Sequence, residues 1–292
     1  YHQTDAPRFA LTIGDQGIYG YGGQDPATVF PGDRLDYFAL VDNNVTNAAD
    51  RDQTVQDAFA QIWHHESLRA GSPKAIAVRS EAVSGAKLAN LLPPSHPDWI
   101  GPGDFSNSYT NIVALLSAYV ADCAALGLNP EVGFVPFIHG AADAATNKAT
   151  YKGQLNDYFD ALRAEIMAAT GQITPPTFLV VQPPARSFGG EWPALQAQVE
   201  VCAERSDSYL LTSWAAPQHD RVHYSRDGVF HVAQQIASAI HAVSAGVQWS
   251  APYLASARLD GTTVICDIGG PHDVIGDTTV YSPRHYVNIT VN

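Results

Sequence analysis

Basic residues are scarce in this 292-residue chain. It holds 16 lysines and arginines against 29 aspartates and glutamates, which gives a formal net charge of −13. Nucleic acid and anionic membranes are therefore poor candidate partners, because both require a basic surface. The chain also has no apolar run near the roughly 18 to 20 residues of a membrane span, so we expect no membrane insertion. A neutral or sugar-like partner fits this composition.

Cysteine is also rare, and the three cysteines, Cys123, Cys202 and Cys266, are far apart in apolar surroundings. This placement predicts buried thiols, although one disulfide with a spare thiol stays open. The pair His64 and His65 has only Glu66 nearby as a further ligand, so we predict no metal site. No glycine-rich loop carries the lysine of a phosphate-binding motif, and we expect no cofactor.

Strands alternate with helices over most of the chain, which is 46% hydrophobic. The apolar patterns predict strands at residues 8–14, 74–80, 131–138, 177–182 and 209–212, and helices at residues 52–68, 109–126, 151–169, 194–203 and 225–245. This alternation predicts a parallel sheet with helices on both faces, the doubly wound α/β architecture in three layers. In such folds, functional residues gather at the carboxyl ends of the strands.

The pattern changes after Trp249, where two β-rich runs follow at residues 258–268 and 285–291. We therefore predict a main domain at residues 1–250 and a small β-rich extension at residues 251–292. Because the chain begins at Tyr1 and not at methionine, we expect that a signal or upstream domain has been removed. The extension is compatible with continuation into a longer parent protein.

The most distinctive short motif is Asp220-Arg221-Val222-His223, which precedes the last predicted helix. An aspartate three residues before a histidine can orient the imidazole as a general base and stabilise its protonated form. The same spacing also fits an aspartate that caps a turn beside a surface histidine. The motif alone leaves both interpretations open.

Three other strand ends carry matching blocks: Gly14-Asp15-Gln16-Gly17, Ser84-Gly85-Ala86 and His139-Gly140-Ala141-Ala142-Asp143. Together with Asp220 and His223, their order resembles the SGNH hydrolase superfamily. More narrowly, the chain resembles sialate O-acetylesterase-like carbohydrate esterases, including forms in bacteriophage tail proteins. The resemblance covers roughly residues 8–250. It implies an SGNH/flavodoxin-like fold and removal of O-acetyl groups from a glycan.

The resemblance also implies roles for individual residues. His223 would be the general base, Asp220 its orienting carboxylate, and Gly85 a backbone donor to the oxyanion. The nucleophilic serine of the family falls on Gln16, which cannot form an acyl-enzyme, and the polar residue of the third block falls on Ala141. The usual covalent esterase mechanism therefore does not follow from this sequence.

Asp15 lies beside Gln16 and provides a second carboxylate. With Asp220 and His223 it would suffice to activate water or to abstract a proton from a sugar ring, as in glycosidases and polysaccharide lyases. A hydrogen bond from Asp15 to the backbone of its own loop is the simpler alternative. Three hypotheses stay open: an esterase-derived enzyme, a repurposed lyase or glycosidase, and a non-catalytic glycan-binding protein.

The predicted ligand is a polysaccharide or an acylated glycan. Aromatic faces pack against sugar rings, while polar groups bind the hydroxyls. On this basis we predict substrate contacts from five residues in or near the blocks: Tyr19, His139, Asp143, Trp214 and Tyr224. Each aromatic residue also fits a simple packing role. The resemblance and the ligand class predict an extracellular or phage virion-associated location.

Overall fold

The computed structural model describes residues 59, 86–102, 108–125, 127–183, 193–212, 224, 226–249, 253–260 and 263–269. The predicted strands at residues 8–14 and 74–80 lie outside these ranges. The predicted helix at residues 52–68 is described only at Phe59, which is helical and buried.

The described elements alternate between helix and strand as predicted. In chain order they are α1 (Leu88–Leu91), α2 (Ser108–Ala125), β1 (Phe134–Ile138), a 3₁₀ turn (Ala141–Asp143), α3 (Lys148–Thr170), β2 (Thr177–Gln182), α4 (Pro193–Glu204), β3 (Ser208–Thr212), α5 (Arg226–Ser244), β4 (Tyr253–Asp260) and β5 (Thr263–Gly269). Seven helix and strand predictions agree within three residues at each end, and the short helix α1 was not predicted.

Strands β1, β2 and β3 form a parallel sheet in that order, with β2 in the centre. Helix α3 connects β1 to β2, and α4 connects β2 to β3. A parallel pair requires such a crossover, because the chain must return to the same end of the sheet. All three carboxyl ends therefore lie along one edge.

Two element boundaries differ from the prediction, in each case where a side chain bonds to the backbone. Strand β1 begins at Phe134 and not at residue 131, because Val132 bonds through its backbone to the side chain of Gln172 instead of to a strand. Helix α3 begins at Lys148, three residues early. The side chain of Asn147 caps it by accepting a hydrogen bond from the amide of Ala149 at 2.8 Å.

One face of the sheet packs against α3 and α4 around an aromatic core. Phe159 of α3 is fully buried and stacks on Phe178 of β2, with ring centroids 4.2 Å apart. Phe137 of β1 contacts the ring of Phe159 edge-on, with ring centroids 5.3 Å apart. Fully buried Ala197 and Val201 of α4 complete this cluster. Burial of such side chains is the main stabilising contribution of the layer.

The opposite face of β2 is also covered. Leu179 and Val181 alternate with Phe178 along the strand, so they point to the other side, and both are fully buried. Helix α5 contacts β2 and buries an apolar stripe that includes Val232 and Ile236. With helices on both faces, the predicted three-layer α/β/α fold is confirmed.

The chain divides into two compact units, Tyr1–Gln248 and Trp249–Asn292. In the second unit β4 and β5 pair as an antiparallel hairpin, with Arg258 opposite Ile265. The predicted β-rich run at residues 258–268 is therefore parts of two strands, and the run at residues 285–291 lies outside the described residues. In the described part of the chain, none of the helices has the length and apolar character needed to cross a membrane.

Cys123 is buried and Cys202 is half-buried, and both are free thiols. Burial raises the pKa of the Cys202 thiol to about 12, so this side chain is a weak nucleophile at neutral pH. The prediction of buried thiols is confirmed for Cys123. The side chain of Cys266 lies outside the description.

Candidate functional site

The third block begins directly after β1, where the chain turns sharply. Gly140 has φ of 130°, which side-chain-bearing residues rarely adopt, and a Cβ atom there would lie 3.2 Å from Nε2 of Gln198. The turn leads into the 3₁₀ segment Ala141–Asp143. Only glycine fits this position without strain. The turn brings the side chains of His139 and Asp143 close to each other.

His139 is held by two hydrogen bonds from its ring. Its Nε2 lies 3.0 Å from the carbonyl oxygen of Ala86, and its Nδ1 lies 3.0 Å from the hydroxyl of Tyr151. Because a carbonyl oxygen only accepts, Nε2 carries the proton, and Nδ1 accepts from the Tyr151 hydroxyl. Burial lowers the pKa of His139, against smaller opposing effects of the Asp143 charge and the Ala86 carbonyl. The ring is therefore neutral at neutral pH.

Tyr151 and Gln198 hold His139 in place through hydrogen bonds to its ring and its carbonyl. The Nε2 of Gln198 donates to the carbonyl oxygen of His139 at 2.6 Å and to the Tyr151 hydroxyl at 3.1 Å. Both side chains are fully buried. Burial also raises the pKa of Tyr151 far above its ordinary range. The phenol thus stays protonated and can donate to His139.

Asp143 is a buried carboxylate with 2% exposure. Its Oδ2 accepts from the backbone amide of Leu88 at 2.7 Å, and its Oδ1 accepts from the hydroxyl of Thr146 at 2.6 Å. The same Oδ2 lies 3.6 Å from Nε2 of His139. Both oxygens are therefore occupied by protein donors, as a buried carboxylate requires.

These contacts join two of the predicted blocks. His139 and Asp143 of the third block bind Ala86 and Leu88, and the chain reaches Ala86 directly from Ser84-Gly85 of the second block. A sequence separation of more than 50 residues is thus bridged by two hydrogen bonds. Gly85 itself lies outside the described residues.

Tyr224 reaches the same edge from the segment before α5. Its hydroxyl donates to the carbonyl oxygen of Gln182, the last residue of β2, at 3.3 Å. Because Ile138 pairs with Val181, the next residue, His139, is level with Gln182. Tyr224 therefore lies at the strand ends that also carry the third block.

Of the ten predicted site residues, the structure describes His139, Asp143 and Tyr224, and it places all three at the carboxyl edge of the sheet. The other seven lie outside the described residues and stay predictions: Asp15, Gln16, Tyr19, Gly85, Trp214, Asp220 and His223. The polar side-chain atoms of His139 and Asp143 bond within the protein. In the structure these two residues hold the backbone of residues 86–88, and their contact with a substrate stays a prediction.

Sequence reasoning missed Tyr151 and Gln198. Gln198 offered one signal, because it is a polar residue on the apolar face of α4, beside Ala194, Ala197 and Val201. Among the residues that the structure describes, no group of three or more histidine, cysteine or acidic side chains is arranged to hold a metal ion.

Three solved structures are similar to this chain. A protein from Arabidopsis thaliana gives a TM-score of 0.50 at 12% identity, over 82% of this chain and 86% of its own. A carbohydrate acetylesterase from Xanthomonas citri gives 0.49 at 19% identity, over 74% of this chain and 47% of its own. An inhibitor-bound aryl esterase from M. smegmatis gives 0.46 at 14% identity, over 81% of this chain and 99% of its own.

No protein-family model and no curated protein sequence matches the chain. At 12% identity, the match to the Arabidopsis protein shows a shared fold and nothing further.

Proposed function

We propose that this chain is a carbohydrate-active protein on an SGNH esterase scaffold, whose ligand is a polysaccharide or an O-acetylated glycan. In this proposal His223, oriented by Asp220, removes a proton from a water molecule, since Gln16 cannot act as the nucleophile. Gly85 donates its amide to the oxyanion that forms when this water attacks the ester carbonyl. The carboxyl edge of the sheet is the ligand-binding edge. An extracellular or virion-associated location would bring the protein to such a glycan.

One observation carries the proposal: the third block is bonded to Ala86 of the second block and to Leu88, two residues further along the chain. His139 donates to Ala86 and Asp143 accepts from Leu88, so two strand-end blocks that were recognised separately meet at one edge. Tyr224, which directly follows His223 in the chain, lies at the same edge through Gln182. Blocks that were unrelated in space would not support a common site.

A second candidate is a glycan-binding protein without catalysis. The third block keeps the residues that hold its geometry, His139, Gly140 and Asp143, but has the methyl group of Ala141 where the family has a polar side chain. The nucleophile position is likewise Gln16. A site that keeps its framework and lacks its reactive groups favours recognition over acyl transfer.

The test is to incubate the protein with acetylated and deacetylated bacterial exopolysaccharides. Acetate release, new reducing ends and the ultraviolet absorbance of unsaturated uronates are followed in parallel, because they report esterase, glycosidase and lyase activity respectively. Any of these products that is lost in His223→Ala supports catalysis. His96→Ala is the matched control, since His96 pairs instead with the exposed carboxylate of Asp157.

Two other outcomes separate the candidates. Glycan binding that survives His223→Ala, with no product of any kind, establishes the non-catalytic candidate. The absence of both product and glycan binding would overturn the proposed function.

A further inference from the structure

We propose that His139 and Asp143 form a positioning clasp for the backbone of residues 86–88. The clasp consists of two hydrogen bonds, from Nε2 of His139 to the carbonyl oxygen of Ala86 and from the amide of Leu88 to Oδ2 of Asp143. The effect of the clasp on glycan binding or turnover rests on the proposed function, whereas its effect on the backbone of residues 86–88 is independent of that function.

One of the two bonds holds a backbone carbonyl and the other holds a backbone amide of the same short stretch. His139 donates to a carbonyl and Asp143 accepts from an amide two residues later, so the pair fixes both the position and the direction of the chain. Between them, the amide of Lys87 donates to the side chain of Asn90 at 3.0 Å. A backbone tied at three successive residues has little freedom to move.

Local structure alone would not hold this stretch. Helix α1 has only four residues, and so short a helix has no stability of its own. Ala86 and Leu88 are buried, but apolar contacts are not directional and leave peptide groups free to rotate. The long-range directional constraint on Ala86 and Leu88 therefore comes from the clasp.

The clasp itself is held by surrounding polar side chains. The Tyr151 hydroxyl donates to Nδ1 of His139, Gln198 donates to the His139 carbonyl, and the Thr146 hydroxyl donates to Oδ1 of Asp143. Each of the two side chains is thus fixed on the side away from residues 86–88. Supported side chains of this kind hold their partners in a narrow range of positions.

The position of this stretch matters because Gly85 directly precedes Ala86 in the sequence. The proposed function assigns the amide of Gly85 to the oxyanion. A backbone donor is placed only by the path of its own chain, and oxyanion stabilisation depends strongly on that placement. The clasp is therefore a positioning device for this donor, and His139 and Asp143 act through the backbone without touching the ligand.

The test measures hydrogen exchange at single amides by NMR in the wild type and in Asp143→Ala. We expect exchange of the Leu88 amide to be faster by about 10-fold or more in the variant, because its acceptor is charged and buried. Amides in β2 and α3 should keep their protection. Asp157→Ala is the matched control: it also removes the carboxylate of a histidine–aspartate pair, but an exposed one, and should leave Leu88 unchanged.

Two further variants keep the test decisive if Asp143→Ala does not fold. Asp143→Asn keeps an oxygen that can accept from Leu88, so it should restore most of the protection. Thr146→Val removes only the hydroxyl that holds Oδ1 of Asp143, so it should give a smaller acceleration at Leu88. In parallel, glycan affinity or turnover should fall about 10-fold in Asp143→Ala and recover in Asp143→Asn.

The outcomes are distinct. Unchanged exchange at Leu88, or acceleration spread equally over β2 and α3, would overturn the clasp. Local acceleration with unchanged glycan handling would overturn its positioning role. A wild type that handles no glycan disproves the proposed function, and the exchange pattern then decides the clasp on its own.

Discussion

The Nδ1 atom of His139 and the hydroxyl of Tyr151 lie 3.0 Å apart, and Tyr151 is fully buried while the side chain of His139 is 9% exposed. Gln198 donates to the same hydroxyl, and Ala86 accepts from the other ring nitrogen. The Ala86 carbonyl only accepts, so Nε2 carries a proton. Because burial lowers the pKa of the ring, Nδ1 is the atom that accepts from Tyr151.

This arrangement predicts the nitrogen NMR signature of His139. We expect a protonated Nε2 and an unprotonated Nδ1 at neutral pH, and the same tautomer below the ordinary histidine pKa of about 6.5, because burial lowers the pKa of this ring. A two-dimensional ¹⁵N–¹H spectrum of labelled protein measures both nitrogens. Two protonated nitrogens at pH 7 would contradict the assignment.

The lowered pKa of His139 also predicts how stability depends on pH. In the unfolded chain the ring binds a proton below about pH 6.5, while the folded protein resists protonation until a lower pH. The unfolded state therefore binds more protons in this window, and stability falls as the pH falls. The loss should reach at most about 1.4 kcal/mol per pH unit for this one group.

Urea unfolding between pH 8 and pH 5 measures this slope. The variant His139→Gln should be less stable at every pH but should show a shallower loss below about pH 6.5. Burial also lowers the pKa of half-buried His231, so His231→Gln should flatten the curve by a smaller amount. Parallel curves for the wild type and His139→Gln would show that His139 does not titrate differently on folding.

Gly140 should tolerate no side chain. Its φ of 130° is unfavourable for any other residue, and a Cβ atom would lie 3.2 Å from Nε2 of Gln198 and 3.4 Å from the ring of Pro183. We expect Gly140→Ala to lower the free energy of unfolding by about 1–3 kcal/mol. Denaturant unfolding measures the change.

The control for this variant is Gly153→Ala. Gly153 lies inside α3 and a Cβ atom there has no neighbour within 4 Å, so alanine should raise stability by about 0.5–1 kcal/mol. Opposite signs for the two substitutions are expected. A neutral Gly140→Ala would mean that the turn after β1 relaxes more easily than its geometry indicates.

The strands and helices were predictable where hydrophobic periodicity was strong. The strand at residues 177–182 matches β2 at both ends, because four consecutive apolar residues, 178–181, are fully buried in it. The start of β1 was wrong by three residues, since the side chains of Gln172 and Tyr119 take backbone groups that a strand would otherwise use. Such bonds join residues 12 to 40 positions apart, and local patterns do not contain them.

The candidate site was predictable in its location and less so in its chemistry. Strand-end blocks placed His139, Asp143 and Tyr224 at one edge, as found. The roles of His139 and Asp143 depend on Ala86 and Leu88, whose backbone groups carry no signal in the sequence. The helical pattern indicates only that Tyr151 lies in an amphipathic helix, and the contact of its hydroxyl with His139 has no signal in that pattern.

The last prediction concerns the two positions where reactive groups are missing. If the framework held by His139 and Asp143 is intact, restoring the nucleophile and the polar residue of the third block by Gln16→Ser with Ala141→Glu should produce acetate release from an acetylated glycan. Removing the nucleophile of a serine hydrolase costs on the order of a million-fold in kcat. Even a small recovered fraction would therefore exceed the wild-type rate clearly.

Two controls make this result specific. Gln16→Ala with Ala141→Glu restores no nucleophile and should release no acetate, and adding His223→Ala to the restored variant should abolish the gain because the serine then lacks its base. A folded Gln16→Ser, Ala141→Glu variant that binds the glycan and releases no acetate would contradict an esterase-like cleft. The framework would then position groups for recognition alone, and the retained clasp would be explained by binding instead of by acyl transfer.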